Sequence, residues 1–486
     1  MPDLIHQVQS RLEFIPQKFN PLVLQLTQWL LPVLLRLRFR PWLTAGIAQI
    51  EAINAETLVN CYQQFQSGKI RFLMAFRHPE VDDPLCMMYL LSRIVPRIAR
   101  KSGIKLQYPI HSYFMYDRGM TLWAGNWLGW LFSRLGGMSI RRGKRIDKIG
   151  LQAARELFVN GKLPISVAPE GATNGHSGIV SQLQPGVAQL GFWCVEDLHK
   201  ANRVSAVFIV PIGIQYRYLQ PPWEKLDLLL RELEADSGLG VSGTSKNKLD
   251  DGDALEGEPR SDRTRIFSQR ILRLAEYLLC QMEDFYRRFY HQNLPEPILP
   301  ILNADPSTSP NEVLHQRLQI LLNTALQVAE QYFGLESRGS LIERCRHLEE
   351  AGWSYIYRED ISSVEALSPF QRGLADWIAS EASIRMQHMR LVESFVAVTG
   401  TYIQEKPTPE RFAEMALLMF DMMARVKGKK YPGRPRLGWR YCQLTVGEPI
   451  SVTARWSTYQ TSRQAARGAV ADLTSDLQMA LEKLIS

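Results

Sequence analysis

IRFLMAFRHPEVDDPL (residues 70–85) decides how the rest of the chain is read. Its first seven residues are an apolar run, broken only by Arg71, of the length of one buried strand. A strand takes neither Pro nor Asp readily in its continuation, yet this one runs directly into His78, Pro79, Asp82 and Asp83. Something other than folding holds those residues there. Residues 84–101 then read as a helix. Working outward, residues 121–135, 146–160 and 186–200 have helical patterning. Residues 163–168 (LPISVA) and 204–216 (VSAVFIVPIGIQY) read as strands. Strands alternating with helices imply an α/β layer structure.

The pattern then changes. Residues 235–263 hold much Gly, Ser and Asp and few large apolar side chains, which reads as a flexible loop. From about 264 to 426 the chain is helical in pattern, broken by the Pro-rich residues 293–310. Strand character returns in WRYCQLTVGEPISVTARW (residues 439–456), and a last helix spans about 461–485. A late strand is not stable alone, so it most economically joins the earlier sheet. The expected organisation is therefore a helical N-terminal segment (1–58), a first α/β part (59–221), a mostly helical insertion (222–436), and a returning strand and helix (437–486). The expected fold class is α/β, a mixed sheet flanked by helices, with a large all-helical insertion. No internal repeat is found. Phe285, Tyr286, Met415, Met419 and Met422 recur at helical spacing and are expected in the core of the insertion.

The chain has 486 residues, 45% hydrophobic and 22% charged, which is ordinary for a globular protein of two or three domains. Its six cysteines are scattered without a C-x-x-C pair, against a zinc site or disulfide framework, and fit a reducing compartment. The net charge is +8, and residues 425–440 (RVKGKKYPGRPRLGWR) hold seven basic residues and no acidic one. The positive balance is thus local. It suggests a docking patch for an anionic surface or partner, or a solvated loop; no nucleic-acid module accompanies it. The N-terminus lacks the layout of a secretory signal. Residues 20–43 are apolar but interrupted by Gln25, Thr27, Gln28 and Pro32, too short a run to span a bilayer. Leucines, Trp29 and Trp42 alternate with Arg36, Arg38 and Arg40, which fits either a segment lying in a membrane interface or a helix packed on the protein's own core.

The chemistry gathers around His78. A carboxylate five residues on, Asp83, can fold back toward the imidazole, fix its tautomer and stabilise its cation, making a general base for a hydroxyl. Asp82 is the competing partner. Three further stretches carry candidates. LGGMSIRRG (135–143) offers Arg141 and Arg142, a residue type suited to phosphate. VAPEGATNG (167–175) ends a strand in Pro169-Glu170-Gly171, where Gly171 lets backbone approach a ligand. VPIGIQY (210–216) is a buried strand bearing Pro211. Each alone also reads as a plain turn, loop or core strand.

The four blocks in this order resemble the glycerolphosphate and lysophosphatidic acid acyltransferase family. That family carries H-x4-D, G-x-x-F-I-x-R, F-P-E-G-T-R-S and V-P motifs. Here H-x4-D falls on His78 and Asp83. The second motif falls on Gly136, Ile140 and Arg142, with Ser139 where Phe is usual. The third falls on Pro169, Glu170 and Gly171, and the fourth on Pro211. TVGEPISV (445–452) resembles the family's closing strand. The chain departs from the third motif at Ala168, Ala172 and Thr173, which stand for Phe, Thr and Arg.

The resemblance implies transfer of a fatty acyl group from acyl-CoA or acyl carrier protein to a lipid hydroxyl, with 1-acyl-sn-glycerol-3-phosphate the expected acceptor. No cofactor and no metal is implied. His78 would be the base and Asp83 its partner. Pro169, Glu170 and Gly171 would position the acceptor, and Arg142 would hold its phosphate. Arg77 or Arg141 would stand in for the arginine absent at Thr173; otherwise the acceptor is a non-phosphorylated alcohol. A non-catalytic lipid-binding or scaffold relative is the remaining alternative. The implied location is the cytoplasmic side of a membrane, peripheral or interfacially anchored.

Overall fold

The computed structural model describes residues 7–10, 13–38, 45–141, 147–240, 260–294, 310–361, 363–396, 398, 402–429 and 433–485. Its strands are, in chain order, β1 (Gln9–Ser10), β2 (Ile47–Ile53), β3 (Ile70–Phe76), β4 (Tyr113–Asp117), β5 (Gly137–Ile140), β6 (Ile165–Val167), β7 (Ala206–Tyr218), β8 (Tyr357–Arg358), β9 (Arg440–Val446) and β10 (Ile450–Ser451). The chain divides into two units. One comprises residues 12–219 and 439–486, the other residues 1–11 and 220–438.

The first unit is built on an eight-stranded mixed sheet of order β2-β9-β7-β3-β6-β4-β5, with β10 against β7. The pairs β7–β3, β3–β6, β6–β4 and β4–β5 are parallel, whereas β9 runs antiparallel to β7. This is the expected α/β class, and the late strand does enter the sheet. All seven residues of β3 are buried, as expected of a central parallel strand covered on both faces. Helices pack on both faces around two apolar clusters, one including Phe72, Met74 and Val210, the other including Leu73, Ala75 and Ile209. Alternate residues of β3 feed opposite faces, the two-residue period of a strand.

Two departures from the sequence reading have local reasons. The stretch 1–58 is not all helical, because Ile47–Ile53 is a strand paired in parallel with β9. Its sequence, IAQIEAI, alternates apolar and polar only over Ala48–Ala52 and lies at the sheet edge, so its pattern is weak. Residues 121–135 are two helices, Met120–Ala124 and Asn126–Arg134, parted at Gly125 with φ +96°.

Helix Pro21–Arg36 starts where the Asn20 side chain accepts from the amides of Leu22 and Val23. Leu24, Leu31 and Leu35 are buried in the core, each contributing roughly 1.5–3 kcal/mol. Leu22, Leu26, Trp29 and Val33 are exposed on the other side, Trp29 at 71%. The segment is thus a core helix and an outward apolar stripe at once. Among the described residues no helix is long and apolar enough to cross a membrane.

The second unit is helical: Trp223–Ser237, Arg260–Phe289, Pro310–Phe333, Leu341–Ile356, Pro369–Phe395 and Pro409–Val426, with short β1 paired to β8. Capping boxes at Ser340 and Ser368 start two of these helices. Tyr286, Met415, Met419 and Met422 are core as expected, but Phe285 is 40% exposed. Buried Arg344 is ion-paired with Glu330 at 2.7 Å, and buried Tyr286 lies 2.6 Å from His388 Nδ1. The basic stretch 425–440 is largely engaged internally. Arg425 donates to Arg390 O and Ser394, and Lys427 pairs with Asp236, Arg434 with Asp421 and Arg440 with Glu80. Those four cations therefore do not form the free docking patch that the run of charge suggested.

Candidate active site

Parallel pairing of β3 with β6 (Ala75 opposite Val167) brings two loops together at the carboxyl ends of both strands. One is His78–Asp83, the other Pro169–Ser181. The carboxyl edge of parallel strands is where α/β folds bind ligands.

His78 leaves β3 with its backbone N–H donating to Glu170 Oε1 at 2.9 Å. Its ring Nδ1–H donates to Asp83 Oδ2, also at 2.9 Å. The imidazole is 22% exposed and the carboxylate wholly buried. This arrangement puts the proton on Nδ1 and leaves the lone pair on Nε2. Asp83 is the first residue of helix Asp83–Tyr89, where the helix dipole favours an anion. It accepts two further bonds, from Glu80 N–H at 2.8 Å and from the Tyr216 hydroxyl at 2.5 Å. Burial pushes its carboxyl up, and the bonds from His78, Tyr216 and Glu80 pull it back.

Asp82, the rival partner, is directed elsewhere. Its Oδ2 accepts from Ala45 N–H at 2.6 Å and lies 3.7 Å from Arg440. Burial, aided by the nearby charge of Glu80, pushes its carboxyl up to about 7. The imidazole is bonded to Asp83.

The other candidates fall into three groups. Pro169, Glu170 and Gly171 lie beside His78. Gly171 has φ +77°, a conformation that favours glycine. The Pro169 carbonyl accepts from Gln184 N–H at 2.9 Å. Glu170 is itself buried, and besides His78 N–H it accepts from Asn174 Nδ2 and Ser181 N–H, both at 2.9 Å. It fixes the backbone of the base more than it faces an acceptor. Gly175 N–H on Pro79 O, at 3.1 Å, ties the two loops a second time.

Arg77 requires a correction. It is fully buried, with Nε 3.7 Å from Glu170. Its terminal nitrogens donate to the carbonyls of Ser177 (2.6 Å), His176 (2.8 Å), Ile214 (3.3 Å) and Ile179. Neighbouring residues of an extended chain project to opposite sides, so Arg77 points inward where His78 points out. It staples the 176–179 loop and does not face an acceptor's phosphate. Arg142 lies outside the described residues. The Arg141 backbone N–H donates to Asp147 Oδ2 at 2.9 Å, a carboxylate that also pairs with Arg118 at 2.6 Å.

Residues 50–215 match the acyltransferase family. The match spans the β3 strand, both loops and most of β7, and it supports a general acyltransferase function for this unit. No curated protein and no solved structure matches the chain. Two residues around the His78–Asp83 pair, Tyr216 and Arg440, were not singled out from sequence. Arg440 is ion-paired with Glu80, bonded to Ala45 O at 3.2 Å, and lies over the Tyr216 ring at 4.8 Å. It begins β9, beyond the matched segment, so the returning strand contributes to the surroundings of Asp83.

Proposed function

We propose that this protein is an O-acyltransferase in which His78 is the general base. It moves a fatty acyl group from a thioester, acyl-CoA or acyl carrier protein, to a hydroxyl of a glycerolipid. The observation that carries the reading is the part-exposed imidazole bonded through Nδ1 to wholly buried Asp83, within an acyltransferase-family segment. Nε2 takes the acceptor's hydroxyl proton as its oxygen attacks the thioester carbonyl. The carbon–sulfur bond then breaks, and the thiolate takes the proton back from the imidazolium. Asp83 offsets the cation while it exists. No covalent acyl-enzyme is needed.

The proposed acceptor is 1-acyl-sn-glycerol-3-phosphate, with Arg142 on its phosphate. A second reading, a non-phosphorylated lipid alcohol, is favoured by Thr173 in the third motif and by the engagement of both terminal nitrogens of Arg77 with carbonyls. Association with a membrane surface is supported by the exposed stripe of helix Pro21–Arg36.

The test is acyl transfer from labelled acyl-CoA and acyl carrier protein to a panel of phosphorylated and non-phosphorylated lipid alcohols, beside His78→Ala. Transfer to the phosphorylated acceptor, abolished in His78→Ala, is expected. Transfer surviving in His78→Ala refutes the role of His78. Acylation of none of the acceptors, with either donor, refutes the enzymatic reading.

A further inference from the structure

We propose that Tyr216 is a positioning residue of the His78–Asp83 base, its hydroxyl holding Asp83 ionised and aligned. The proposal rests on the acyl-transfer reading only in assigning the base a reaction. Asp83 Oδ2 is shared by His78 Nδ1 and Glu80 N–H, and the Tyr216 hydroxyl donates to Oδ1. The carboxylate is thus gripped on both oxygens. Two of the donors come from the loop after β3 and the third from β7, 133 residues beyond Asp83. The ring of Tyr216 is in turn held under the Arg440 guanidinium.

Among the described residues, charged and titratable groups approach this carboxylate from its own loop, its own helix, β7 and β9. Glu80 and Asp82 come from its own loop, and both lie beside Arg440. Cys86, from its own helix, has its Sγ 3.5 Å from the Tyr216 hydroxyl, and Cys442 comes from β9. Burial and the neighbouring Asp83 keep the Tyr216 hydroxyl protonated, so it is a donor at any working pH.

The working form of the base, neutral imidazole with ionised Asp83, carries one negative charge in a buried place. A donor to that charge stabilises this form against its protonated form. Protonation removes the Nε2 lone pair wherever the proton settles. On the imidazole it gives the cation. On Asp83 it makes the carboxyl the donor to Nδ1 and moves the ring proton to Nε2. Loss of the Tyr216 hydroxyl should therefore move the pair's apparent titration toward higher pH, by about one unit, the size of one hydrogen bond to a charged group.

The experiment uses the full chain. Diethyl pyrocarbonate attacks only an imidazole nitrogen with a free lone pair, and modification of His78 is followed against pH by peptide mass spectrometry. The acid limb of kcat/KM is measured in parallel with acyl-CoA. Tyr216→Phe is expected to raise both midpoints by about one unit, a roughly tenfold slower modification on the acid side. Arg440→Lys, which keeps the hydroxyl but loosens the ring, is expected to raise them by less. Tyr62→Phe is the control, because its buried hydroxyl bonds to His111 O, away from the dyad, and its midpoints should stay at the wild-type value. Unmoved midpoints in folded Tyr216→Phe, or an equal shift in Tyr62→Phe, would overturn the proposal. A raised modification midpoint in Tyr216→Phe, with a wild type that transfers acyl groups to no acceptor, would uphold Tyr216 while refuting the acyl-transfer reading.

Discussion

Asp83→Asn tests whether charge and tautomer at one buried carboxylate set the rate. Asp83 accepts from three donors: His78 Nδ1–H, Glu80 N–H and the Tyr216 hydroxyl. An amide offers one oxygen and one NH2 group. If the NH2 takes the place of Oδ2, it meets two donors; the imidazole must then accept at Nδ1, its proton moves to Nε2, and the base is lost. If the NH2 takes the place of Oδ1, Tyr216 can turn its hydroxyl to accept, and the geometry survives without the charge. Either way the imidazolium formed during transfer has no carboxylate beside it. A carboxylate in contact shifts its partner's proton affinity by one to three units, and general-base catalysis is worth about 10²–10⁴ in rate. We expect kcat to fall about 10²–10⁴-fold with KM changed by less than about threefold. Folding stability should change little, because the lost bonds are offset by removing a wholly buried charge. The assay is steady-state transfer from labelled acyl-CoA, beside a thermal melt. Asp82→Asn is the internal comparison, since Asp82 is equally buried but bonded to Ala45. A folded Asp83→Asn within tenfold of wild-type kcat, or an equal loss in Asp82→Asn, would refute the reasoning.

Asp82→Asn should instead show itself in stability. The Asp82 carboxyl is raised to about 7 in the fold, so its ionisation does not oppose folding below about pH 4 and opposes it increasingly as pH rises to about 7. The substitution should stabilise the protein at pH 8 by up to about 4 kcal/mol and much less at pH 4; melts in which the gain does not grow with pH would contradict this. Arg77→Met strands the carbonyls of His176, Ser177, Ile179 and Ile214, which should cost more than about 3 kcal/mol. An unchanged denaturant midpoint would show that the staple is not structural. Leu26→Glu with Trp29→Glu alters two exposed side chains of helix Pro21–Arg36. Flotation with vesicles containing an anionic phospholipid should drop at least tenfold with the melt unchanged, and undiminished flotation would remove this helix from membrane docking.

The central strands were legible because burial on both faces leaves a nearly continuous apolar run, as in IRFLMAF with only Arg71 charged, and a long β-branched one, as in Ala206–Tyr218. Tyr113–Asp117 and Ile47–Ile53 were not. YFMYD is short, and IAQIEAI is made a strand by its register with β9, nearly 400 residues away in sequence. Tertiary pairing overrides a weak local pattern in such cases. His78 and Asp83 were legible for the opposite reason, since five residues of one loop fix their separation.

Arg77 shows where residue type misleads. An arginine beside a candidate base invites a phosphate role, yet the alternation of an extended chain already sends adjacent side chains to opposite sides. Once His78 is assigned to the open side, Arg77 must enter the core, and a buried guanidinium is tolerable only where carbonyls and a carboxylate surround it. Glu170 and the 176–179 carbonyls meet that need. Arg77 is fixed by burial, and a phosphate has no route to its donors. A guanidinium that binds the acceptor must be one whose donors are open to it, and Arg77 is not such a residue; the phosphate contact proposed for Arg142 rests on the motif resemblance alone.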